Sequence, residues 1–155
     1  MEHSYFVIAR ALHVVAVVLW IGGVAFVSTV LIPAIRKMPS TENRLALFET
    51  LEHKFGFQAK LTTLITGLSG FYMLYVLNGW ASMQWWVHLM LFIWTLFMLV
   101  LFVLEPLFLH KWFHQQAQKN SERAFHYLQL MHSILLSISL LAVFAGVAGV
   151  HGLFY

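Results

Sequence analysis

Read for its alternation of apolar and polar positions, the chain falls into four long apolar windows separated by short polar stretches. They run from about Tyr5 to Ile35, Phe57 to Leu77, Trp85 to Leu109 and Leu128 to Phe154. About 20 apolar residues in helical form cover the roughly 30 Å hydrocarbon core of a bilayer, so each window is long enough to cross one. All four are expected to be helices, because unpaired backbone cannot cross lipid and four segments cannot close a transmembrane barrel. The predicted fold is all-α, a single membrane domain over residues 1–155 built as a bundle of four transmembrane helices.

Between the first two windows, Leu45, Phe48, Leu51 and Phe55 recur at helical spacing among charges, which predicts a short helix lying in the membrane interface. Between the third and fourth, the polar stretch from His110 to Tyr127 is expected to extend both helices beyond the membrane, with Asn120 or Ser121 as turn and N-cap. Seven of the nine Lys and Arg fall in these two loops: Arg36, Lys37, Arg44, Lys54, Lys111, Lys119 and Arg123. By the positive-inside rule that side is cytoplasmic and both termini face outward.

Composition supports the lipid reading. Of the 155 residues 61% are hydrophobic and 10% charged, with a mean hydropathy of +0.79, too little polar surface for a water-soluble globule. The net charge of +3 is explained by loop residues that set topology, so no nucleic-acid partner is implied. Absence of cysteine excludes disulfides, thiolate metal sites and Cys nucleophiles. The opening residues MEHSYF lack the basic start of a cleaved signal peptide, so the first span is expected to stay in the mature protein.

The strongest chemical signal is nine histidines. His3, His13, His88 and His151 lie toward the outer ends of their segments; His53, His110, His114, His126 and His132 lie toward the cytoplasmic side. Most of the second group read as solvated or interfacial, His132 excepted because it starts the fourth span. His13 and His88 sit inside the first and third spans, where an ionisable residue is by default a functional candidate. Imidazoles from two helices can ligate one haem iron axially, so both are candidate metal ligands of a b-type haem. The bland alternative is a pair of histidines bonded to neighbouring helices. Arg10, His13 and Trp20 follow helical spacing and form one candidate stripe, in which the Arg10 guanidinium is placed for a haem propionate. Snorkelling to headgroups explains Arg10 equally well. Lys60 and Glu105 are expected to pair, with Pro106 disturbing the helix beside them. Met73, Met83 and Met90 read mostly as packing; with the histidines they also suit Cu(I).

The first span, ALHVVAVVLWIGGVAF followed by LIPAIR, together with WVHLMLF opening the third, resembles the small four-helix CopD-like family of bacterial inner membranes. The resemblance implies a haem b site or copper handling, with His13 and His88 at the matched positions. A sister group, the HemJ-type protoporphyrinogen oxidases, is similar in the A-L-H...W-x-G pattern, but usually carries lysine where Arg10 stands and a different ending to the first span. The expected function is thus an inner-membrane haem protein in electron transfer or small-molecule redox chemistry, an oxidoreductase if it catalyses. Its expected partners are the lipid bilayer, a quinone or redox protein, and a second copy. Copper transport or resistance, and HemJ-like oxidase activity, are the alternatives.

Overall fold

The computed structural model describes residues 2–81 and 83–154, and no side chain is described for Glu2. All regular secondary structure among the described residues is helical, with no strand. Four helical rods follow one another. The first is α1 (Glu2–Phe26), a π-helical segment (Val27–Leu31) and α2 (Ile32–Arg36). The second is α3 (Thr41–Val76). The third is α4 (Trp85–Leu99), a π-helical segment (Val100–Leu109) and α5 (His110–Lys119). The fourth is α6 (Ser121–Val150).

Three of these rods, His3–Arg36, Trp85–Lys119 and Ser121–Val150, are long and apolar enough to cross a membrane. Their outer faces are built for lipid: Val18, Phe144 and Val147 are each about 60% exposed, a pattern that water would penalise and hydrocarbon accepts. The chain is therefore a membrane protein. Helix α3 is the least apolar rod, interrupted by Lys60 and by a run of buried hydroxyls at Thr62, Thr63, Thr66 and Ser69.

The segment expected to form a separate interfacial helix does not do so. Residues 41–76 are one uninterrupted helix. Ser40 caps it, accepting from the Asn43 amide, and Phe48 turns inward to meet Phe113 and Phe125 at 4.9 and 5.6 Å between ring centroids. With Val27, Ile32 and Ile35, these rings make a second core at the charged end of the bundle. The apolar face that looked interfacial is occupied by protein. Asn120 is the cap of α6, accepting from the Arg123 amide at 3.0 Å, as its position predicts. Helix α6 stops at Val150, short of the expected Phe154, since His151 to Phe154 form a turn.

Both π segments have local causes. Pro106, within the second, lacks the N–H that a regular ladder would use. In the first, the Ser28 carbonyl accepts from Gln129 of α6 at 3.4 Å. Close helix approach rests on glycines. A Cβ on Gly67 would stand 2.5 Å from the Trp94 ring, on Gly146 2.9 Å from Met90, and on Gly149 2.4 Å from Trp86.

Candidate functional site

The histidine of the first span faces α3. Ala9, Ala16 and Trp20 define the buried face of α1, and half-buried His13 lies on it. Its Nδ1 is 3.0 Å from the Thr66 carbonyl and 3.1 Å from Ser69 Oγ. The carbonyl can only accept, so the proton sits on Nδ1 and the Nε2 lone pair is free. Gly70 makes room for the ring: a Cβ there would lie 3.2 Å from His13 Cε1. A ligating histidine is held in this manner, through a second nitrogen donating to backbone.

His88 is exposed, with Nδ1 3.1 Å from the Gln84 carbonyl of its own helix turn. It too leaves Nε2 free. The two imidazoles do not bond to each other, and His13 is tied to α3 rather than to α4. Where α1 meets α4, the contact is Trp20 edge-on to Phe97, ring centroids 4.7 Å apart. Arg10 stands off the buried face, exposed and without a hydrogen bond or ion pair. The candidate stripe therefore divides: Trp20 is 5% exposed, His13 half-buried and Arg10 outside. Trp20 Nε1 is buried without an acceptor. Among the described residues, no group of three or more His, Cys, Asp or Glu converges as a metal cage.

Toward the charged end, the four rods separate around a cavity of about 510 Å³. Its walls include Trp20 on α1, Glu52 and Gly56 on α3, Phe97 on α4, Glu105 on the second π segment and His132 on α6. His132 donates from Nδ1 to the Leu128 carbonyl at 2.9 Å, leaving Nε2 as an acceptor. Glu105 pairs with Lys60 at 2.8 Å, the predicted pair, though Oε2 receives no directed hydrogen bond. The contact is thus Coulombic more than directional.

A second, polar cavity lies beside the first, walled by Glu49, Glu52, His53, Glu105, His110 and His114 among others. His114 Nδ1 lies 3.0 Å from Glu49, and His110 Nδ1 3.7 Å from Glu52. His110 and His114 are therefore partnered, not simply solvated. Burial raises the Glu52 carboxyl above its ordinary range; His110 pulls it back down, while Glu105 and Glu49 push it further up. Sequence reasoning missed this cluster. The signal was Glu49 and Glu52 at i, i+3 opposite His110 and His114 at i, i+4, each a one-face spacing.

No family model, curated protein or solved structure matches the chain.

Proposed function

We propose that this chain is a redox protein of the bacterial inner membrane that carries one b-type haem, which His13 would hold, with exposed His88 as the candidate second ligand. The observation that carries the reading is the His13 tether. Thr66 and Ser69 hold the proton at Nδ1, raise the basicity of Nε2 and stop the ring from turning. The residues fit the group in donor chemistry, since both imidazoles are tied through Nδ1 to a backbone carbonyl and leave Nε2 to a ligand. Bound haem would supply one-electron chemistry at this layer. Arg10, exposed three residues before His13 and without a partner, is available to a propionate, to which a guanidinium donates two parallel bonds. Thr62, Thr66 and Ser69 turn their hydroxyls onto their own backbone, as in Thr66 to Thr62 at 2.8 Å, so the hydroxyls of Thr66 and Ser69 beside His13 are already engaged.

In this reading α3 crosses the bilayer with the other three rods. The fourth crossing is supported by the tie of α3 to α1 and by its single interior cation, Lys60, being neutralised by Glu105. The charged loops face the cytoplasm and both termini the opposite side.

The test is spectroscopic. Purified protein should show a Soret band that sharpens and shifts on dithionite reduction. His13→Ala and His88→Ala should each remove or alter the low-spin spectrum, while His114→Ala should leave it intact. Protein that stays colourless after haem supplementation, yet retains copper, would overturn the proposal in favour of copper handling.

A further inference from the structure

The apolar cavity has no role in the His13 layer, and its walls specify a ligand. Most of its lining is hydrocarbon and aromatic ring, including Phe48, Phe55, Phe97 and Trp112, so it favours a flat, apolar body. Its polar wall groups are Gln58, Trp112 and Tyr127, all exposed, and the less exposed Glu52, Glu105 and His132. His132 offers only a lone pair at Nε2, because Nδ1 already donates to Leu128. Glu105 has one oxygen against Lys60, and a carboxylate only accepts. Trp20 Nε1 is the buried donor on the wall, but it has no free surface to offer. The less exposed polar groups of the wall thus suit a ligand that brings hydroxyl donors. It must also be neutral: two carboxylates stand against one cation, Lys60, which disfavours fatty acids and propionate-bearing tetrapyrroles.

From these constraints we infer that the cavity binds a lipid-soluble quinol, its ring among the aromatic walls, one hydroxyl donating to His132 Nε2 and the other to a carboxylate, that of Glu105 or Glu52. Glu52 and Glu105 are also walls of the polar cavity. A hydroxyl bonded to either lies one carboxylate away from the vestibule of His110 and His114. The bound hydroxyls would thus be bordered by the polar cavity rather than by the apolar half. A volume of about 510 Å³ lies within the range of about 300–1,000 Å³ typical of small-molecule sites.

The experiment uses the full chain in lipid nanodiscs and two probes, a decyl benzoquinol under anaerobic conditions and its dimethyl ether, followed by native mass spectrometry. The ether keeps the shape and loses both donors. Quinol binding should saturate, and the ether should bind about tenfold more weakly, the cost of leaving buried acceptors unpaired. His132→Phe should weaken the quinol about tenfold and leave the ether unchanged. Gly56→Leu should abolish binding of both. A Cβ at Gly56 meets nothing within 4 Å and leucine favours helix over glycine, so this variant fills the cavity without unfolding α3. Equal affinity for quinol and ether, or unchanged binding in Gly56→Leu, would overturn the inference. Neither readout depends on haem, so failure here is distinct from failure of the Soret test.

Discussion

His13 of α1 and Ser69 of α3 are joined at 3.1 Å, with the Thr66 carbonyl sharing the same imidazole nitrogen at 3.0 Å. This contact between α1 and α3 does structural work even without a cofactor. Removing His13 should leave the Thr66 carbonyl in its own helix ladder and open a space before Gly70. We expect His13→Ala to cost about 1–3 kcal/mol of stability from lost packing and one hydrogen bond, and Ser69→Ala about 0.5–1 kcal/mol, near the mean for interhelical bonds in membranes. Unfolding in mixed micelles of SDS and a mild detergent measures both. Equal stability of His13→Ala and wild type would show that the tether carries no load.

Glycine positions 67 and 149 are steric requirements. A methyl at Gly149 would overlap the Trp86 ring at 2.4 Å, and at Gly67 the Trp94 ring at 2.5 Å. Trp94 is held there by its Nε1 bond to the Thr63 carbonyl at 2.9 Å, so it has little freedom to yield. Gly67→Ala should lower stability by about 1–3 kcal/mol, despite alanine's better helix propensity. Gly56→Ala, in open space, is the control and should be neutral or stabilising. Thermal unfolding of the two variants side by side decides it.

Lys60 and Glu105 should show strong coupling. Each single neutralisation, Lys60→Met or Glu105→Gln, strands a charge in the bundle, whereas the double change removes both. Each single variant is expected to lose about 1–3 kcal/mol and the double variant less than their sum, the shortfall being the pair's interaction energy. Additive losses in a double-mutant cycle would mean that the 2.8 Å contact is not held in the membrane.

The pH dependence of stability should contain a contribution from Glu52. Its carboxyl is raised in the folded state, first by burial. Above the ordinary carboxylate pKa the folded chain then binds more protons than the unfolded one, so this residue's contribution to stability falls as pH rises from 4.5 through the raised value. Glu52→Gln should remove that decline, and should be relatively more stable than wild type at neutral pH than at pH 4. Parallel unfolding curves across this range would sink the assignment.

Orientation is readily measured because the chain has no cysteine. Ala81→Cys and Lys119→Cys, both at exposed positions, should label from opposite sides of intact cells. Ala81→Cys should react with an impermeant maleimide from outside, and Lys119→Cys only after permeabilisation. The reverse pattern would place the polar cavity on the outer face.

Periodicity and length alone made the helices and their approximate ends legible, because lipid leaves a hydrophobic run of this size one backbone solution. The Asn120 cap and the Lys60–Glu105 pair were legible for similar reasons: one is a local backbone requirement, the other two opposite charges at equal depth in a medium that tolerates neither alone. Sequence could not tell that residues 41–56 continue α3, since an apolar face beside charges suits an interface and a protein neighbour equally well. Only packing decided it, by placing Phe113 and Phe125 against Phe48. The same holds for the sites. Spacing identified His13 but not its partner, which lies 53 residues away at Thr66. It grouped Arg10 with Trp20, although one proved exposed and the other buried, because a stripe drawn on one helix does not state which side its neighbours take. The cavity between the rods has no sequence signature at all. It is the space left where four bundled helices diverge, and it exists only once all four are in place.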